Sequence, residues 1–242
     1  MPASGVVGMS SVYRFVNWSF KGLLHLLCRI DDSQLDRVPP AGPLIAVGNH
    51  ISFLDAPILL THLQPRPMTG FAKVETWDNL ALRVLFDLWG AIPLRRGEVD
   101  RRAFRQAEEA LAAGKIFGVA PEGTRSHDGR LRQGHPGVVF LALRTRAPLL
   151  PIAYYGGENL RRNLPRLRRT DFRIVVGDPF TLSADGPMNG EVRQQIADEV
   201  MYQLAALLPP AYRGYYADLS RASEEHLRFA PGTESNLRRA SG

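Results

Sequence analysis

The sequence predicts an α/β fold: a single central, mostly parallel sheet flanked by helices, with an N-terminal amphipathic interfacial helix ahead of it. Three observations carry this prediction. Strand-like and helical patterns alternate from Pro43 onward, as a sheet covered by helices requires. Two polar clusters, 49–55 and 121–126, each follow an apolar run, where open α/β sheets place their ligand crevice. The chain has 242 residues, 45% of them hydrophobic, with 22 Gly and 18 Pro, which suits one domain with a sizeable core.

The first element is a two-sided helix from Ser11 to Ile30. Advancing about 100° per residue, Arg14, Lys21, His25 and Arg29 share one stripe, with Trp18 on that side. Val12, Phe15, Val16, Leu23, Leu26, Leu27 and Ile30 fall opposite. A helix lying in a membrane interface has this pattern, and so does an ordinary surface helix covering a core; the large apolar residues and purely basic stripe favour the membrane. A Pro- and Asp-rich connector, Asp31 to Pro43, follows, so residues 1–42 read as a membrane-associating segment and linker.

Residues 43–219 read as the main domain. Pro43 to Asn49 predicts a strand, Asp55 to His62 a helix entered through Pro57, Met68 to Lys73 a strand and Trp77 to Leu88 a helix. Ala91 to Leu94 is a short strand before an Arg95-Arg96-Gly97 turn. The clearest helix runs from Val99 to Ala113, with Ala103, Ala107, Ala110 and Leu111 at helical spacing and Gly114 as its stop. Lys115 to Ala120 reads as strand, Pro136 to Arg144 as helix and Leu149 to Tyr155 as strand. Gly156 to Thr170 reads as a basic loop carrying Arg161, Arg162, Arg166, Arg168 and Arg169. Phe172 to Val176 reads as the final strand and Asn189 to Leu208 as a long helix ended by Pro209-Pro210. Residues 220–242 are polar and poor in apolar periodicity, and are expected to form a mobile tail.

Thirty basic residues against 24 acidic ones give a formal charge of +6, which invites phosphate, a membrane surface or nucleic acid. The Arg-rich loop lacks interleaved aromatic residues for base stacking, so no nucleic-acid partner is expected. The single Cys28 excludes an intrachain disulfide and a cysteine metal site, and fits a reducing compartment. No window approaches the ~20 apolar residues of a membrane span, and the N-terminus lacks the order of a signal peptide.

The chemistry concentrates in Asn49-His50-Ile51-Ser52-Phe53-Leu54-Asp55. Positions five apart lie on different faces of a helix. His50 and Asp55 therefore meet only if His50 sits in a turn and Asp55 begins the next helix. A carboxylate on one ring nitrogen leaves the other free to take a proton from a hydroxyl, a general-base effect of typically ~10² to 10⁴-fold. Ser52 between them supplies a mechanistic rival, an acyl-serine intermediate. The second cluster, Pro121-Glu122-Gly123-Thr124-Arg125-Ser126, offers guanidinium chemistry suited to a phosphate and backbone donors near Gly123 for an oxyanion. His127, Asp128 and His135 follow it, but their spacing matches no metal site, and none is expected.

Four segments resemble the ordered sequence blocks of the glycerolipid acyltransferase family. They are His50 with Asp55, Gly90-Ala91-Ile92-Pro93-Leu94-Arg95-Arg96, Pro121 to Ser126, and Pro148-Leu149-Leu150-Pro151-Ile152. The resemblance covers roughly Pro43 to Asp178 and is similar in character to the bacterial 1-acylglycerol-3-phosphate O-acyltransferase (lysophosphatidic acid acyltransferase) branch. It implies transfer of a fatty acyl group from acyl-CoA or acyl carrier protein to the sn-2 hydroxyl of a lysophospholipid acceptor, 1-acylglycerol-3-phosphate, giving phosphatidic acid. It also implies a peripheral or monotopic place on the phospholipid surface, at the cytoplasmic face of the inner membrane, with no cofactor besides the donor. His50 and Asp55 would then be catalytic. Arg96, Glu122, Gly123, Thr124 and Arg125 would bind the acceptor phosphate and glycerol, with Lys73 and Arg95 in support. Pro93 and Arg95 stand where the family usually has an aromatic and an acid, and Thr76 and Trp77 where it commonly has a Leu, departures that bear on the acceptor's identity. Acylation of another lysolipid, or non-catalytic lipid binding on the same fold, are the alternative readings.

Overall fold

The computed structural model describes residues 11–95, 100–184 and 186–240. Its sheet is laid down by β1 (Cys28–Asp31), β2 (Leu44–Gly48), β3 (Met68–Lys73), β4 (Ile92–Leu94), β5 (Ile116–Val119), β6 (Leu149–Tyr155), β7 (Thr170–Val176), β8 (Phe180–Leu182) and β9 (Leu227–Phe229). The order across the sheet is β1-β7-β6-β2-β5-β3-β4, with β8 pairing β6 and β9. From β4 to β6 every pairing is parallel. The strands in this row therefore all point their carboxyl ends to one edge. β2 is buried at every position, as a central strand with helices on both faces must be.

The helices are α1 (Ser11–Leu27), α2 (Asp55–His62), α3 (Leu80–Leu88), α4 (Arg101–Ala112), α5 (Gly137–Thr145), α6 (Leu160–Asn163), α7 (Gly190–Ala206) and α8 (Asn236–Ala240). Strand alternation divides the core. Leu44 and Ala46 of β2 join Leu24, Ile58, Leu59 and Trp89 on one side. Ile45 and Val47 join Ala107, Leu111, Val139 and Val200 on the other. Asp100 caps α4 by accepting from the Ala103 amide at 3.0 Å, and Asn189 caps α7 by accepting from Val192 at 2.8 Å.

The N-terminal helix is shorter than its pattern predicts. It ends at Leu27, and residues 28–31 become an edge strand parallel to β7, with Cys28 fully buried opposite Thr170. The break has a local cause: the Arg169 guanidinium donates to the carbonyls of His25 and Cys28 at 2.6 and 2.7 Å, satisfying acceptors that a longer helix would use itself. The helix has two apolar faces. Tyr13, Phe20 and Leu27 pack on the core around buried Leu24, and Asn17 accepts from Trp89 Nε1 at 2.9 Å. Val12, Phe15, Trp18, Leu23 and Leu26 face outward, Trp18 at 74% exposure and Leu26 at 70%. The core-covering and outward-facing readings of this helix thus each describe one of its faces. Among the described residues, no helix is long and apolar enough to cross a membrane.

Two further expectations change at the C-terminal side. β7 begins at Thr170 and is not the last strand, because β8 and β9 pair antiparallel beyond it. The polar stretch after Ser220 contributes β9 and α8 to the domain. Asn236 is fully buried, its amide donates to Gln203 Oε1 and its Oδ1 accepts from the Asp178 amide, each at 2.8 Å. The basic 156–170 segment is compact too, folding as α6 between two short 3₁₀ turns.

Candidate active site

The loops leaving the parallel strands meet along one edge. In the order of the sheet these are Arg95 after β4, Lys73 at the end of β3, the 120–135 loop after β5, the 49–54 loop after β2 and the 156–163 segment after β6. Six of the predicted positions, Lys73, Arg95, Glu122, Gly123, Thr124 and Arg125, therefore share this crevice side with the His50–Asp55 pair. Arg96 lies outside the described residues.

His50 occupies the turn after β2 and Asp55 is the first residue of α2, the arrangement that the spacing demands. His50 Nδ1 and Asp55 Oδ2 are 2.8 Å apart. The same oxygen accepts from the amides of Ile51 at 2.8 Å and Ser52 at 2.9 Å, so the carboxylate winds the turn around itself. Asp55 is buried at 5% exposure, and its Oδ1 has no hydrogen-bond partner among the described residues. An ionised carboxylate only accepts, so Nδ1 carries the hydrogen and Nε2 the lone pair. The imidazole is 26% exposed, and among the described residues no group hydrogen-bonds to Nε2. The Ser52 hydroxyl, in contrast, is buried and accepts from the Leu54 amide at 3.2 Å.

The third block grips the backbone of His50 from both sides. Glu122 Oε1 accepts from the His50 amide at 2.8 Å, and the Ser126 amide donates to the His50 carbonyl at 2.7 Å. Glu122 Oε2 accepts from the Arg132 amide at 2.9 Å, and the side chain is only 2% exposed. Both Glu122 oxygens thus accept from main-chain donors, and the side chain braces the turn that carries His50. Burial pushes its carboxyl up to about 7, against the downward pull of the backbone hydrogen bonds from Arg132 and His50. Gly123 turns the loop at φ +67°, where a side chain would be strained. Thr124 and Arg125 are exposed on the crevice side, and Arg125 lines a pocket with Ile51, Ser52 and Phe53 of the dyad turn.

Lys73 pairs with Glu75 at 2.9 Å and Arg95 is exposed; both stand on the far side of β5 from the dyad. Asn49 was missed as a site residue. It is buried, donates to the Tyr154 carbonyl at 2.8 Å and accepts from the Tyr154 amide at 2.7 Å, so it extends the β2–β6 pairing to the threshold of His50. Its place directly before the histidine was the available signal. His135 lies against Gly123, and His127 lines the dyad pocket.

Residues 29–155 match the family described as Acyltransferase. The chain is 27% identical over 179 residues to the chloroplastic 1-acyl-sn-glycerol-3-phosphate acyltransferase BAT2 of Brassica napus, covering 71% of this chain and 51% of the relative. It is 30% identical to the lyso-ornithine lipid O-acyltransferase of Pseudomonas aeruginosa, over 54% of this chain and 55% of that one. It spans about half the length of several such curated relatives. The crystal structure of the 1-acyl-sn-glycerophosphate acyltransferase PlsC from Thermotoga maritima is similar at a TM-score of 0.58 and 25% identity, covering 78% of this chain and 76% of that one.

Proposed function

Since this chain belongs to the acyltransferase family, we propose that it transfers a fatty acyl group from acyl-CoA or acyl carrier protein to the sn-2 hydroxyl of 1-acylglycerol-3-phosphate, giving phosphatidic acid. One observation carries the reading: a histidine whose Nδ1 is held by a buried carboxylate, whose ring is 26% exposed and whose Nε2 has no partner among the described residues. An acceptor hydroxyl at Nε2 loses its proton as it attacks the thioester carbonyl. Asp55 stabilises the imidazolium that forms, and the proton then passes to the departing thiolate. The alcohol attacks directly, so Ser52 carries no acyl group. Arg125, with Arg96 beyond the described residues, holds the acceptor phosphate, and Lys73 and Arg95 add positive charge to the same edge. The reaction needs no metal or cofactor besides the acyl donor.

The outward apolar face of α1, with Arg14 beside it, supports a peripheral position on a phospholipid surface, where the acceptor resides. We place that surface at the cytoplasmic face of the cell membrane. A second acceptor class, an amino-acid-headed lysolipid, is favoured by the similarity to the lyso-ornithine lipid enzyme. Release of free thiol from acyl-CoA in the presence of a panel of lysolipids, with mass spectrometry of the products, tests the reading. Thiol release dependent on lysophosphatidic acid, with phosphatidic acid formed, is expected. Release without an acylated lipid, or no release with any lysolipid and either donor, would contradict it.

A further inference from the structure

We infer that Arg161 and Arg125 together form a phosphate-binding site on the pocket beside the dyad turn, taking a phosphomonoester carried by one of the two substrates. Arg161 lies outside the four sequence blocks. The topology nevertheless brings it to the dyad: β6 is the neighbour of β2 on one side and β5 on the other, so the loops of both flank the 49–54 turn. They converge on a pocket lined by Ile51, Ser52, Phe53, Arg125, His127 and Arg161.

Neither Arg125 nor Arg161 has an acid or hydrogen-bond partner among the described residues, whereas neighbouring arginines of the 156–170 segment are engaged. Arg162 donates to Asn159 Oδ1 at 2.9 Å, Arg166 to the Arg162 carbonyl at 3.3 Å, and Arg169 closes the end of α1. The one acid in the pocket lining, Glu158, already has Oε1 accepting from Tyr212 and Asn159, each at 2.9 Å. Glu158 Oε2 is buried without a partner among the described residues, so the lining sets two guanidiniums against one carboxylate, and the excess positive charge attracts a phosphate. His127 and Ser52 stand in the same lining. The segment bearing Arg161 is anchored: Leu160 is 3% exposed, and a Cβ on Gly157 would come within 2.5 Å of Phe172. Arg161 is therefore presented from a fixed backbone.

This inference rests on the proposed acyl transfer for the identity of its ligand. The acceptor headgroup and the 3′-phosphate of coenzyme A are both phosphomonoesters, and the test separates them. Thermal melting of the wild type, Arg161→Ala, Arg161→Lys and the control Arg168→Ala is measured with glycerol 3-phosphate against glycerol, and with coenzyme A against its 3′-dephospho form. The expected result is a rise in Tm of the wild type with the phosphate-bearing member of one pair only. That rise is lost in Arg161→Ala, partly kept in Arg161→Lys and unchanged in Arg168→Ala. The responsive pair names the source, and the apparent KM for that substrate rises roughly tenfold to a hundredfold in Arg161→Ala, as for one lost charge-assisted hydrogen bond. No phosphate-dependent rise in the wild type, an equal rise in Arg161→Ala, or an equal loss in Arg168→Ala would overturn the site. The melting measurement needs no turnover, so a protein that bound phosphate through Arg161 but acylated no lysolipid would refute the proposed function and leave this site standing.

Discussion

At the residue scale, few atoms define the turn that carries His50, the proposed base. Asp55 Oδ2 takes three donors, the imidazole and two amides, so it sets both the ring and the backbone that carries it. Asp55→Asn keeps the size but offers the ring and the amides a weaker acceptor, and should lower turnover by at least ~10-fold. Glu122 makes a sharper test because the sequence pattern and the geometry assign it different work. As a clamp on the His50 and Arg132 amides, Glu122→Gln should lower kcat roughly tenfold, the scale of one compromised buried hydrogen bond, with little change in KM for the lysolipid. A rise in KM at constant kcat would restore a substrate-binding role. Its titration gives a second readout. The carboxyl stands at about 7 in the fold against an ordinary 4.5, so the folded state holds an extra proton between those values. The stability this proton contributes is present below about pH 4.5 and is lost as pH rises through about 7. Between about pH 5 and pH 8 the Tm of the wild type should therefore fall relative to that of Glu122→Gln. A pH-independent difference would contradict the buried clamp.

At the scale of elements, α1 separates two jobs by face. Replacing outward Phe15, Trp18 and Leu26 by Gln should weaken co-sedimentation with anionic vesicles and slow acylation of bilayer-borne acceptors, while stability moves by only about 0.5 kcal/mol. Inward Leu24→Ala should instead cost roughly 2 to 5 kcal/mol and damage activity on every acceptor. Unchanged vesicle binding by the outward variant would remove the anchor reading. The elements also show what a sequence can disclose. α2, β3 and β6 begin and end where the pattern places them, because apolar runs are bounded there by Pro, Gly or a charged terminus. β1, β8 and β9 were illegible. Each has only three or four residues, and each exists through pairing with distant strands rather than through its own pattern. The site divides the same way. His50 and Asp55 meet within one turn and could be read locally. Glu122 reaches an amide 72 positions away, and Arg161 reaches the crevice only through strand order, so both required the fold.

At the scale of the whole molecule, the parallel row from β4 to β6 brings separate loops to the one edge that carries the candidate site, and the C-terminal stretch adds β9 beside β8. Asn236→Ala would leave the Asp178 amide without its partner and remove the side-chain bond to Gln203 Oε1, which keeps the main-chain donor of residue 236, at a cost of roughly 1 to 3 kcal/mol in urea unfolding. An unchanged midpoint would mean that this stretch is dispensable. The proposed chemistry is general-base transfer of an acyl group by the imidazole that Asp55 aims. It is tested most directly by the rate of phosphatidic acid formation from lysophosphatidic acid and acyl-CoA, compared between the wild type and a folded His50→Ala variant with the same Tm. A fall of at least ~10²-fold, with no acyl-protein species in the mass spectrum of either, is the predicted result. Near-wild-type turnover in the variant, or an acylated Ser52 peptide in the wild type, would contradict it.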